Sequence, residues 1–170
     1  MRLGQPDADL EVIAPRVEGV QHYLEHHGGE FLVLTDHDAP NFKLMAVSEA
    51  DPARTNWREV IPQRDNIVIS PYGVEPFARH FLIYGREDGF PRIWVRDAAT
   101  GTTRSIAFDE ATYVVGGTHR FTGGENWTFD TNRARITYSS PVTPDSVYEI
   151  DLATGERTLL KRLELVGGHD

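Results

Sequence analysis

Six serines and seven histidines are the residues of this 170-residue chain with the most direct route to chemistry. A serine nucleophile needs a base beside it, and in α/β-hydrolases it sits on a strand–turn–helix elbow written G-x-S-x-G. Ser48, Ser70, Ser105, Ser139, Ser140 and Ser146 all lack those flanking glycines. Ser139-Ser140 precedes Pro141 and reads as a strand end and turn. No catalytic residue is expected among them.

Three histidines lie together in QHYLEHHGG: His22, His26 and His27. On a strand, His22 and His26 share a side with Leu24 between them, and His27 faces away. Four residues at strand rise span about 13 Å, too far for two ligands of one metal ion. On a helix the same i, i+4 pair would suit zinc, but Gly28-Gly29 and the extended pattern that follows argue for a solvated strand end. His37, between Asp36 and Asp38 and just before Ala39-Pro40, reads as a turn former. Metal: none, and cofactor: none, are therefore the expectations.

The remaining motifs are equally plain. Asn126-Trp127-Thr128 matches the glycosylation acceptor pattern, which has no use without secretion. Gly116-Gly117 and Gly123-Gly124 precede neither Lys-Ser/Thr nor a helix start, so they predict turns and not a phosphate cradle. Trp57, Trp94 and Trp127 form no spaced stacking row, and Trp94, inside an alternating strand, predicts packing between sheets.

Composition sets the class. Apolar residues are 39% and aromatics 10%, enough to bury a core. The net charge of −9 repels phosphate backbones, which excludes nucleic acid as an expected partner. No run approaches the roughly 18 apolar residues of a membrane span. The first residues, MRLGQPDADLEVIAPR, carry acids where a signal peptide needs an apolar run. Zero cysteines remove disulfides, thiolate metal sites and a cysteine nucleophile, and they fit a cytoplasmic location.

The elements repeat. GEFLVLTD, RHFLIYGR and ARITYSS are β-rich runs between polar or Gly/Pro punctuation, with Phe31 and Phe81 spaced by 50 and Phe81 and Arg135 by 54. Each is followed after a turn by a second run, NFKLMAVS, PRIWVRD or DSVYEID, whose central triplets align as Leu44-Met45-Ala46, Ile93-Trp94-Val95 and Val147-Tyr148-Glu149. Asp97-Ala98-Ala99-Thr100-Gly101 recurs 54 residues later as Asp151-Leu152-Ala153-Thr154-Gly155. An Asp that bonds its own backbone two residues on, closed by a Gly at positive φ, is hairpin chemistry. A last run follows each turn (WREVIP, TTRSIAFD and ERTLLKRL), and a further strand precedes each unit: GVQHYLEHH, SPYGVEPF and TYVVGGTH. Four antiparallel strands per roughly 50 residues is a β-propeller blade signature, although sandwiches and barrels also use evenly spaced hairpins. The expected fold is all-β, with about three four-stranded antiparallel blades at residues 19–64, 66–109 and 112–163, and residues 164–170 as a linker.

DAPNFKLMAV, HFLIYGREDGFPRIWVRDAATG, AFDEATYVVG and YSSPVTPDSVYEIDLATGERTLLKR resemble the later blades of the N-terminal propeller of oligopeptidase B-like enzymes, members of the prolyl oligopeptidase family of serine peptidases. The resemblance runs from about Val12 to the end, where Gly167-Gly168-His169-Asp170 resembles the hand-over to a hydrolase domain. It departs at His169, where the family more often has an aromatic, and in the long Gly-rich stretch 116–132.

The resemblance implies a seven-bladed propeller capping an α/β-hydrolase domain that cleaves short peptides after Arg or Lys. This chain would supply the last three blades and gate peptide access, with the hydrolase domain and short peptides as partners and no bond-breaking of its own. The acid excess, if it lined the channel, would draw in basic peptides. An alternative is a free-standing binding or scaffold protein that covers its open blade faces by self-association. A small histidine-metal enzyme is the control reading.

Overall fold

Two-residue turns that accept positive φ start the chain folding back on itself. Gly28 and Gly29 both have positive φ (56° and 84°), the geometry of the hairpin turn whose twist matches paired strands. Asp88-Gly89 repeats it. The computed structural model describes residues 12–117, 126 and 128–164. Within them the chain makes three meanders. The first sheet is β1 (His22–His27), β2 (Glu30–Thr35), β3 (Lys43–Ser48) and β4 (Arg58–Ile61). The second is β5 (Ile67–Pro76), β6 (His80–Glu87), β7 (Phe90–Asp97) and β8 (Thr103–Ile106). The third is β9 (Val114–Gly117), β10 (Arg133–Ser139), β11 (Ser146–Asp151) and β12 (Arg157–Arg162). Each sheet has four antiparallel strands in sequence order. The only helix among the described residues is one 3-10 turn, Arg54–Asn56, so none is long and apolar enough to cross a membrane.

Strand alternation stacks the sheets. Leu32, Leu34, Leu44 and Ala46 of the first sheet meet Ile69, Val74, Phe81, Ile83 and Trp94 of the second. The opposite face of the second sheet, with Leu82, Tyr84, Ile93, Val95 and Ile106, meets Ala134, Ile136 and Ile150 of β10 and β11, and Leu152 just beyond. Successive residues of β6 thus enter different seams, and Phe81 to Tyr84 are all buried. This is why HFLIYG reads as one continuous apolar run and not as an alternating one. Trp94 packs between sheets as its position predicts. The aligned triplets share their orientation too: Met45, Trp94 and Tyr148 occupy the same parity in β3, β7 and β11.

One alignment is corrected by register. Phe81 faces the preceding sheet, and the third-sheet residue that does so is Ala134, not Arg135, which lies on the far face. The β10–β11 connection (140–145) is longer than Asp88-Gly89, so the repeat spacing is not constant along a unit. A one-residue slip in a strand exchanges its faces.

Candidate functional site

Ser48, Ser139 and Ser146 lie at strand ends and Ser140 in the β10–β11 connection, whereas Ser70 and Ser105 lie within β5 and β8. Ser48 Oγ accepts the Ala50 amide at 3.2 Å, Ser140 Oγ accepts the Thr143 amide at 2.9 Å, and Ser146 Oγ donates to the Pro144 carbonyl at 2.7 Å. Among the described residues no serine hydroxyl hydrogen-bonds a histidine ring.

β1 is a strand, as read, with His22 and His26 on one face and His27 on the other. The solvated-end reading needs correction for two of the three. Residues 49–57 fold back over the far face of the first sheet, where His26 Nε2 meets Glu49 Oε2 at 2.8 Å and the His22 ring stands edge-on to Trp57 at 5.8 Å. Both His22 nitrogens are buried without a partner, and this burial, reinforced by Arg54, lowers its pKa. His27 turns into the first seam, with its ring 4.9 Å from Phe81 and 5.8 Å from Phe129 and Nε2 at 3.3 Å from the Ala78 carbonyl. His37 sits in its turn beside Asp38 at 3.0 Å. Among the described residues no three His, Asp or Glu side chains could share a metal ion.

A further polar cluster lies on the 107–113 connection between β8 and β9. The Glu110 carboxylate accepts hydrogen bonds from the hydroxyls of Thr143, Tyr138 and Ser140. Thr143 first and Tyr138 second hold its pKa below the usual carboxylate range. Burial, then Glu110, pushes the Tyr138 phenol well above its ordinary value. Phe108 stacks on Tyr138 at 4.6 Å, Tyr113 and Tyr148 close the ring cluster, and the Arg157 guanidinium lies 4.5 Å over Phe108. With three hydroxyl donors on it, this carboxylate fastens the 107–113 connection to β10 and to the β10–β11 connection. Tyr113 continues the clasp by donating to the Pro91 carbonyl at 2.7 Å. It stands between two open grooves of about 380 and 390 Å³ that share Phe90 and Arg92. No local pattern announces Glu110, because its partners are 28 to 33 residues away.

The twin turns behave as their sequence predicts. Asp97 Oδ1 accepts the amides of Ala99 (3.0 Å) and Thr100 (2.7 Å), and Asp151 Oδ1 those of Ala153 (2.8 Å) and Thr154 (2.9 Å). Gly101 and Gly155 close them at φ 74° and 81°. The Thr100 and Thr154 amides are the first cause of the lowered pKa of each aspartate. Arg96 ties the first turn across a seam, donating to the carbonyls of Gly101 and of Val60 in β4.

Asn126 has a use that its acceptor motif does not suggest. Its carboxamide donates to the Arg135 carbonyl at 3.0 Å and accepts the Arg135 amide at 2.8 Å. Among the described residues β9 pairs with β10 as far as Gly117 opposite Ile136, and this side chain bonds both backbone groups of Arg135, the neighbouring position of β10. Gly116-Gly117 is not the turn its sequence predicts but the end of β9, paired with Thr137 and Ile136. Trp127, Gly123-Gly124 and the terminal Gly167 to Asp170 lie outside the described residues.

The sequence profile of the prolyl oligopeptidase N-terminal β-propeller domain matches residues 1–162. The chain belongs to that family. Its three four-stranded sheets are thus propeller blades, and among the described residues they form an arc that does not close on itself. Protease 2 of Moraxella lacunata is 30% identical over 166 residues, covering 97% of this chain and 22% of the relative. Dipeptidyl aminopeptidase BI of Pseudoxanthomonas mexicana is 29% identical over 160 residues, covering 94% of this chain and 21% of the relative. The chain therefore spans about a fifth of the length of these curated relatives. Among solved structures, oligopeptidase B from Trypanosoma brucei, in a closed form with covalently bound antipain, superposes with a TM-score of 0.84 at 29% identity, covering 95% of this propeller chain and 23% of that one. Oligopeptidase B from Leishmania major gives the same TM-score at 23% identity, a likeness of fold.

Proposed function

We propose that this chain is a non-catalytic stretch of a peptidase propeller, gating short peptides toward a hydrolase domain outside residues 1–170. One observation carries the reading: the stacked three-sheet arc follows oligopeptidase B from Trypanosoma brucei over 95% of this chain while matching only 23% of that protein. On this reading the blades wall a channel, and the substrates are short peptides cleaved after Arg or Lys. A chimera tests it, with this chain replacing the matching propeller segment of the Trypanosoma brucei enzyme. The expected result is retained hydrolysis of a short arginyl peptide with a folded protein left intact. A chimera that cleaves the folded protein as readily as the peptide rejects gating by these blades.

A second reading, a self-associating scaffold, draws on one feature. Val114 (68% exposed) and Leu163 (53%) line a shared cavity of about 440 Å³ on the third sheet. Exposed apolar side chains at such a groove are surface that a second copy would cover. Light scattering separates the two readings: a monomer at high concentration removes the scaffold.

A further inference from the structure

Among the described residues, the histidine that the serine and metal arguments leave unused is His80. It opens β6 opposite Asp97 in the β6–β7 ladder and has the same parity as Leu82 and Tyr84, which face the third sheet. It is only 6% exposed, and its Nδ1 is buried without a hydrogen-bond partner. Both aspartate turns converge on it. The Asp97 turn follows its own ladder partner, and the Asp151 turn packs so closely on β8 that a Cβ at Gly155 would lie 3.3 Å from the Arg104 and Ile106 side chains. The charges around the ring are Arg79 beside it in sequence, Asp97 from β7, Arg104 from β8 and Asp151 from β11, with Arg133 of β10 acting on Asp151.

We infer that His80 is a proton-sensitive wedge in the seam between the second and third sheets: proton uptake on its ring loosens that seam. A neutral imidazole fits the site as packed, whereas an imidazolium brings a charge and a second N–H donor into a place where Nδ1 already lacks a partner. The two aspartates favour the charged ring and the two arginines oppose it. Burial is the largest influence and keeps the pKa below its ordinary value. With the folded value depressed, the stabilising effect is complete above the unfolded pKa of about 6.5 and is lost as the pH falls below it.

The test is amide hydrogen exchange on the full chain from pH 7.5 to 5, corrected for intrinsic rates. Exchange through opening of the second seam, read at Ala134, Ile136 and Ile150, should rise by up to about tenfold per pH unit below about 6.5, the limit for one proton. His80→Gln should flatten that rise. His22→Gln, which alters the histidine whose ring nitrogens are buried beside residues 49–57, should leave it in place. A His80→Gln chain with the unaltered pH dependence overturns the proposal. If that variant does not fold, the ring's own NMR titration in the unaltered chain decides. A midpoint well below about 6.5 supports the wedge, and one at or above it removes the wedge.

Discussion

Phe81 and Leu82 are neighbours in β6 that point into different seams, so truncating each in turn should loosen different halves of the molecule. Leu82 is 0% exposed among Tyr84, Ile93, Ala134, Ile136 and their neighbours. Leu82→Ala removes three carbon groups at about 0.8 kcal/mol each, about 2.4 kcal/mol in transfer alone, and the residual cavity brings the expected cost to about 2–5 kcal/mol. Phe81, 4% exposed against the first sheet, should cost about 3–5 kcal/mol as Phe81→Ala. Leu160→Ala, at a position 46% exposed on β12, serves as the control and should stay within about 0.5 kcal/mol. Urea melts give the totals, and native-state hydrogen exchange gives the location. Leu82→Ala should deprotect β10 and β11 first, and Phe81→Ala should deprotect β2 and β3. If both variants release the same amides in the same order, the seams are not separate units and the alternation argument fails.

Three further outcomes follow from the local geometry. The lowered pKa values of Asp97 and Asp151 mean that their stabilisation is present above about pH 4 and lost as the pH falls through the folded values. An acid titration of Asp97→Asn combined with Asp151→Asn should show a smaller loss of stability across that window. Asn126→Ala should destabilise by about 1–2 kcal/mol, from two hydrogen bonds, and should speed exchange of the Arg135 amide. Gly85→Ala should be far more damaging than Gly89→Ala in a thermal melt. A Cβ at Gly85 would fall 2.3 Å from the Val68 carbonyl oxygen and 2.9 Å from the Trp94 ring, whereas at Gly89 nothing lies within 4 Å and only the positive φ resists.

What the sequence discloses and what it hides divides by range. The strands and the Asp-x-Ala-Thr-Gly turns are legible because their causes are local. A side chain two residues from the amide it binds leaves a fixed spacing in the text, and so does a face that recurs every second residue. The Glu110 clasp has no such trace, since Tyr138 and Thr143 reach it only after the chain has crossed the third sheet and returned. The burial of the His22 ring nitrogens depends on residues 49–57 lying back over β1, which an irregular connection does not encode by period. Asn126 misleads actively, because three residues spell a modification signal while the carboxamide bonds both backbone groups of Arg135 in β10. Arg135 fails for a different reason: repeat spacing averaged over a unit does not carry strand parity, and parity alone decides which seam a residue enters.

Phe129 gives the stack a property that seams alone do not. Its backbone carbonyl takes the Ala78 amide at 2.9 Å from the turn entering β6, while its ring reaches His27 of β1. A residue on the approach to β10 thus touches both other sheets at one rim. Sheets that met only their immediate neighbours would come apart like cards from the end of a deck, each detaching without consulting any but the next. Here removing the last card also withdraws a pin from the first. The third sheet's departure should weaken the first even with the second in place, and the three should melt more nearly together than their pairwise seams require.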